Sequence, residues 1–244
     1  MRFGQLSFVR WFRGTLVDPH YTLGDWDEAE AGADAFISEI EAGLPHYLAS
    51  QAYSTRALIR FARGESDSAL ADAERAVALA TSAADPQSLL PAVARLAHIS
   101  CELGDHERAE SLAADYLSAL KTGSGIGDAI TTAHILSWTL TPLRRGGELA
   151  AALRPFDTPW AHAAIAFCEG HPLEAAELFA ERGAATEEAY ARLTASRAFV
   201  EQGRRAEADA QLQRALAFYR TVGAARYVRE GEALLAASAA AVLP

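Results

Sequence analysis

A glycine-centred pattern recurs five times along this chain and constrains its fold more than any other feature. The segments LGDWDEAE, RGESDSAL, LGDHERAE, EGHPLEAA and QGRRAEADA align on their glycines, which are Gly24, Gly64, Gly104, Gly170 and Gly203. Alanine follows each glycine by five residues, and a small residue precedes four of the glycines by seven. Self-similarity of this kind indicates a protein built from stacked copies of one small unit.

Each unit has the features of two helices joined by a tight turn. Glycine adopts the left-handed conformation that ends a helix, and the next residue, such as Asp25 or Asp105, is of a type that caps the following helix. Small side chains on both sides of the turn let the two helix axes approach to about 8–10 Å. The pattern therefore predicts helical hairpins with small residues where the helices cross. These crossing positions are Ala57, Ala97, Ala109, Ala163, Ala175, Ser196 and Ala208.

Reading outward from the turns predicts paired helices along the whole chain. Half of the residues are apolar, and the alternating runs that mark β-sandwiches or barrels do not occur. We expect an all-α fold with six hairpins and a closing helix in a single domain, 1–244. The expected first helix precedes Gly24, with a break near Asp18 and Pro19 left open. The other expected helices span 26–42, 46–63, 66–82, 88–103, 106–120, 127–143, 148–154, 159–169, 172–182, 185–202, 205–221 and 225–240. A degenerate turn at 145–147 lies in the longest interval between aligned glycines.

The turn sequences, of the form G-D-W/H-x-E/R-A, resemble those of tetratricopeptide repeats, whose unit is about 34 residues. The resemblance extends over nearly the whole chain and is closest around Gly64, Gly104 and Gly203. It implies a right-handed superhelical α-solenoid of about six hairpins plus a capping helix. The ending GRRAEADAQLQRALAFYRTVGAARYVREGEALLAAS also resembles the C-terminal end of large bacterial signalling ATPases, some of them linked to adenylate cyclase domains or DNA-binding regulators.

In tetratricopeptide repeats the first helices line a concave groove that binds extended peptides or partner helices. The resemblance implies a mixed polar groove in this chain. Its groove-facing positions are Gln51, Ser54, His98, Glu102, Trp160, Arg197 and Glu201. The Lys/Asn set with which some relatives hold a terminal carboxylate is missing, since Ser54, Leu58, Ala94 and His98 stand there.

Charge and motifs exclude several classes of function. The formal net charge of −10 disfavours direct binding to nucleic acid, which needs a basic face. No phosphate-binding loop and no metalloprotease or hydrolase motif is present; the glycine-rich segment at 122–129 lacks the lysine and the preceding strand that a phosphate loop requires. Acidic runs such as TEEAY begin helices, where they complement the helix dipole. We expect a protein that is not an enzyme and uses no cofactor.

One cluster, His98, Cys101 and His106, has metal-ligating types near a turn. A structural zinc site needs four ligands and a catalytic site three, and the similar pair Cys168 and His171 lies two hairpins away. We therefore favour a buried cysteine and turn histidines over a metal site. Two cysteines form no disulfide framework, and no stretch reaches the roughly 18 apolar residues that span a bilayer. We expect a cytoplasmic protein that contacts no membrane.

The leading hypothesis is a non-enzymatic scaffold or regulatory module that binds a partner peptide or helix in the groove. A homodimer is left open. The alternative is a small-ligand sensor domain of a bacterial signalling or transcription regulator. Trp11, Trp138 and Trp160 are expected to fill gaps between hairpins.

Overall fold

Thirteen helices and no strand occur in the part of the chain that the computed structural model describes, residues 3–122 and 126–240. The all-α prediction is confirmed, and the predicted helix ends agree with the observed ones to within about three residues. The glycine-rich segment at 123–125 lies outside the described residues. The helices are α1 Phe3–Leu23, α2 Trp26–Glu41, α3 Ala49–Arg63, α4 Ser66–Ala83, α5 Pro86–Glu102, α6 His106–Thr122, α7 Ile126–Leu140, α8 Gly146–Leu153, α9 Pro159–Cys168, α10 Pro172–Ala180, α11 Ala185–Glu201, α12 Arg205–Thr221 and α13 Ala225–Ala240.

The first helix does not break at its proline. α1 is continuous from Phe3 to Leu23 with Pro19 inside it. A proline in a helix removes one backbone hydrogen bond, which costs about 3 kcal/mol. Packing of α1 against α2, α3 and α11 accompanies the unbroken helix, so tertiary contacts outweigh this local cost.

The glycine turns have the predicted conformation. All five aligned glycines have positive φ, between 74° and 98°. Asp105 caps α6 as expected, because its Oδ1 accepts the backbone N–H of Arg108 at 3.1 Å. Asp25 does not cap α2: its side chain makes no capping hydrogen bond, and its carboxylate lies 3.5 Å from Nδ1 of His20.

The degenerate turn at 145–147 differs from the expected form. Arg144, not a glycine, has the left-handed backbone there, with φ of 58°. Gly146 instead begins α8, and a Cβ at this position would lie 3.0 Å from the carbonyl oxygen of Cys168. This glycine therefore allows α8 to approach the end of α9.

The seven residues predicted at helix crossings are all completely buried. Five lie in the hairpins α3–α4, α5–α6 and α9–α10, and two lie in α11–α12. The helices of each of these pairs pack against each other. Fully buried alanines and serines leave room for this close packing of the helices.

The chain also makes contacts far beyond neighbouring hairpins. The first helices of neighbouring hairpins pack in succession, α3 against α5, α5 against α7 and α7 against α9. Beyond neighbouring hairpins, α11 packs against α1, and α13 packs against α3. Nε1 of Trp26, in α2, donates a hydrogen bond of 2.9 Å to Oγ1 of Thr186, in α11. Tyr190 of α11 also stacks on Trp138 of α7 and contacts the ring of His98 of α5.

Candidate functional site

A cavity of about 270 Å³ lies between α1, α5, α7, α9 and α11. Exposed Pro19 and Thr131 lie on its wall, so it reaches the protein surface. Its deeper wall carries three buried ionisable side chains, Arg95, His134 and Glu187. A second cavity, of about 200 Å³, shares Asp18 and Thr131 with the first and extends along α3 and α5.

Arg95, on α5, is held in place by a charged partner and a hydroxyl. Its Nη2 donates to Oδ2 of Asp18 at 2.7 Å, and its Nη1 donates to Oγ of Ser54 at 2.7 Å. Burial acts to raise the pKa of Asp18, but the charge of Arg95 and hydrogen bonds from Arg95, Thr55 and Gln51 outweigh it, and the net pKa is lowered. Asp18 and Arg95 are thus a charged pair. Nε of Arg95 has no hydrogen-bond partner among the described residues.

His134 and Glu187 lie next to each other on the cavity wall. They are 3% and 2% exposed, and Nε2 of His134 lies 3.6 Å from Oε1 of Glu187. The hydroxyl of Thr22 donates to the same oxygen at 3.4 Å. Oε2 of Glu187 and both ring nitrogens of His134 have no hydrogen-bond partner within the described chain. Most buried polar atoms in proteins are paired, and an unpaired one costs about 1–3 kcal/mol.

A helix dipole and an aromatic ring lie beside these side chains. Glu187 lies in the first turn of α11, where the positive end of the helix dipole stabilises a carboxylate. The ring of Trp160, near the start of α9, lies 5.1 Å from the ring of His134. Trp160 is half-buried, so an apolar surface adjoins the polar wall.

The predicted groove positions do not form one open surface. Ser54 and His98 are buried, and the ring of His98 contacts those of Phe61, Trp138 and Tyr190. Burial lowers the pKa of His98 to about 4. His98 is therefore not available at the surface, because rings from α3, α7 and α11 enclose it.

The charged groove positions near His98 also have partners within the chain. Glu102 accepts a hydrogen bond of 3.2 Å from the Tyr190 hydroxyl and lies 3.9 Å from Nη2 of Arg226. Arg197 forms an ion pair with Glu230. These contacts tie α5, α11 and α13 together.

The remaining groove positions separate into two places. Gln51 lines the second cavity, and Trp160 lines the first. Glu201 is exposed at the end of α11. The sequence-predicted set thus divides between a buried aromatic cluster, two cavities and the surface.

The cysteines and histidines of the metal-like cluster do not converge. Sγ of Cys101 lies 3.9 Å from the carbonyl oxygen of Thr139, and burial raises the pKa of its thiol to about 11. Burial likewise raises the pKa of Cys168 to about 12. In residues 3–122 and 126–240, no three His, Cys, Asp or Glu side chains are grouped so that they could hold a metal ion. No described helix combines the length and apolar character needed to cross a bilayer.

A cluster of exposed aromatic side chains lies on α1. Phe8, Trp11 and Phe12 are 61%, 38% and 46% exposed, with ring centroids 4.9 to 6.0 Å apart. Nε1 of Trp11 donates to the hydroxyl of exposed Tyr47 at 2.5 Å. Trp138 is buried between helices as predicted, but Trp11 fills no such gap.

Sequence patterns missed Arg95, His134 and Glu187. One signal was present: His134 is the single ionisable residue of ITTAHILSWTL, 130–140, and such a residue in an apolar helix needs a polar environment. Neither the models of known protein families nor the curated proteins match this chain. We therefore infer the function from the residues that line the cavity.

Proposed function

We propose that this chain is a helical-repeat domain that binds a small organic molecule in the cavity between α1, α5, α7, α9 and α11. The observation that carries the proposal is a cavity of about 270 Å³ lined by Arg95, His134 and Glu187. Each of these side chains is at most 3% exposed and holds a buried polar atom without a hydrogen-bond partner among the described residues. Because buried polar groups are costly until they are hydrogen-bonded, a molecule that supplies their partners gains affinity.

The proposed architecture is a right-handed superhelical α-solenoid of the tetratricopeptide kind. The left-handed turn glycines and the packing of α3, α5, α7 and α9 in succession support it. In this arrangement Tyr190 of α11 contacts rings of α5, α7 and α9, on the side of the first helices where a partner peptide would bind in a groove. This favours a small ligand over a peptide, and a sensor domain of a signalling protein over a scaffold. Ligand binding would then stabilise the contacts of α11 with α1 and α7.

A thermal-shift screen of the purified chain against a metabolite panel tests the proposal. A ligand at about 100 times its Kd should raise the free energy of unfolding by about 2.7 kcal/mol. We expect His134→Leu to lose the shift, because it removes two polar atoms from the cavity. His162→Leu is the matched control, since His162 is exposed and pairs with Asp157 on the surface. The proposal fails if no compound shifts the transition, or if the shift persists in His134→Leu.

A protein partner is the second candidate function, and the exposed cluster Phe8, Trp11 and Phe12 is the observation that favours it. Contiguous exposed apolar side chains mark protein interaction sites. We expect affinity capture and light scattering to detect a complex with wild-type protein that Phe8→Ser with Phe12→Ser abolishes. Equal recovery by both proteins would remove this candidate, and a change in mass of the isolated chain would identify the partner as a second copy.

A further inference from the structure

We infer that the ligand of this cavity carries a protonated amine that pairs with the carboxylate of Glu187. The inference rests on the proposed function and adds the chemical class of the ligand. Its starting point is the difference between the two carboxylates of the cavity. Asp18 is neutralised by Arg95 at 2.7 Å. Glu187 has no Arg or Lys nitrogen within ion-pair distance among the described residues, only the Thr22 hydroxyl and Nε2 of His134.

The charge of the cavity wall favours a cation. The wall carries two carboxylates, Asp18 and Glu187, and one guanidinium, Arg95, which pairs with Asp18. Glu187, only 2% exposed, is the carboxylate without an Arg or Lys partner within the described chain. A buried carboxylate is stabilised by an opposite charge close to it and destabilised by a like charge. A carboxylate or phosphate ligand would add negative charge near both Glu187 and Asp18, whereas an ammonium group would bring to Glu187 the permanent positive charge that it lacks.

The rest of the wall suits an amine on a small apolar body. The rings of Tyr21 and Trp160 and the side chain of Ile135 line the cavity together with Glu187. Ammonium groups are attracted to the faces of aromatic rings, most strongly to tryptophan. The cavity volume of about 270 Å³ is just below the usual range for drug-sized ligands, about 300–1,000 Å³. The ligand class is therefore a small amine with one ring or a short chain.

Three probes with the same body and different charge test this inference. Phenethylamine, 2-phenylethanol and phenylacetate are titrated into the full chain at neutral pH, with calorimetry and tryptophan fluorescence as readouts. We expect phenethylamine to bind at least about tenfold more tightly than 2-phenylethanol, because a hydrogen bond to a charged group contributes that much. Phenylacetate should bind more weakly than either.

Two variants connect the preference to Glu187. We expect Glu187→Gln to weaken phenethylamine binding about tenfold or more and to leave 2-phenylethanol binding unchanged. Glu188→Gln, one residue later on the same helix, is the control, since Glu188 pairs with Arg192 and Arg214 and does not line the cavity. Thr22→Lys places an ammonium group beside Glu187 at a half-buried position. This variant should fold, as judged by circular dichroism, and should no longer bind phenethylamine.

The outcomes separate this inference from the function beneath it. If 2-phenylethanol or phenylacetate binds at least as tightly as phenethylamine, and the binding is lost in His134→Leu, the cavity is a ligand site and the amine inference is overturned. Unchanged phenethylamine affinity in both Glu187→Gln and Thr22→Lys overturns it as well. If none of the probes and none of the metabolite panel binds, the proposed function itself is wrong.

Discussion

The hydroxyl of Tyr190 donates a hydrogen bond to Oε1 of Glu102 across 3.2 Å, although 88 residues separate the two in sequence. The Tyr190 ring also stacks on that of Trp138, with centroids 4.1 Å apart. Burial, together with the charge of Glu102, raises the pKa of Tyr190 well above its ordinary value. The hydroxyl therefore stays protonated and can donate the hydrogen bond. One side chain of α11 thus joins α5 and α7.

Two replacements of Tyr190 should separate the contribution of its ring to stability from that of its hydroxyl. We expect Tyr190→Ala to lower the free energy of unfolding by about 3–5 kcal/mol, as for other buried aromatic residues, because it opens a cavity against Trp138. Tyr190→Phe keeps the stacking and loses one hydrogen bond, at a cost of about 1 kcal/mol. Urea denaturation measures both. Equal losses for the two Tyr190 variants would contradict the importance of the ring.

A larger side chain at a helix crossing should destabilise the protein. Ala109 of α6 is completely buried, whereas Ala114 of the same helix is exposed. We expect Ala109→Leu to destabilise the protein by about 1–3 kcal/mol through overpacking. Ala114→Leu should change stability by no more than about 0.5 kcal/mol. Denaturation midpoints that shift equally in the two variants would show that Ala109 does not control the crossing.

His98 should make stability depend on pH. Its pKa is about 4 in the folded chain because it is buried, against an ordinary value of about 6.5. The unfolded chain therefore takes up a proton before the folded chain does as the pH falls. The free energy of unfolding should be unaffected above about pH 6.5 and fall by about 3 kcal/mol in total as the pH drops to 4.

The variant His98→Gln isolates this effect from that of other titrating groups. We expect its free energy of unfolding to change about 3 kcal/mol less than that of the wild type between pH 7 and pH 4. Chemical denaturation at a series of pH values makes the comparison. Parallel profiles for the two proteins would mean that His98 titrates alike in the folded and unfolded chains.

Two turn glycines should differ in their tolerance of alanine. Gly24 and Gly104 both have left-handed backbones, with φ of 93° and 87°, where a side chain costs about 1–2 kcal/mol. A Cβ at Gly24 would also lie 2.8 Å from Cε2 of Phe218, whereas a Cβ at Gly104 meets nothing within 4 Å. We expect Gly24→Ala to cost about 1–3 kcal/mol more than Gly104→Ala. Phe218→Leu should recover part of the difference, and thermal denaturation of the three variants is the measurement.

Helices and turns were predictable because their signals are local. The glycine at the end of each helix and the small residues around it fix the hairpins without reference to distant parts of the chain. The turn before α8 was mispredicted because Gly146 serves contact with Cys168, which is distant in sequence, and Arg144 takes the left-handed backbone instead. Asp25 differs from the capping Asp105 for a local reason, since its carboxylate lies beside His20, five residues earlier.

The candidate site was not predictable because its residues come together only through tertiary contacts. His98 has the position of a groove residue within its own hairpin, and contacts with Phe61, Trp138 and Tyr190 of three other helices bury it. Glu187 was assigned to the helix dipole, which its place in α11 supports, yet the return of α11 to α1 brings it beside Thr22 and His134. A repeat pattern does not predict which helices distant in sequence contact each other.

The hydrogen bond from Trp26 to Thr186 has a consequence for how the chain loses its structure. Arrays in which each repeat touches only its neighbours fray from their ends and unfold in stages. Here the first hairpin contacts a helix 160 residues later, so detachment of α2 also breaks a contact with α11. Amide hydrogen exchange should accordingly protect the two helices to a similar depth, and unfolding should follow one cooperative transition that joins both halves of the molecule.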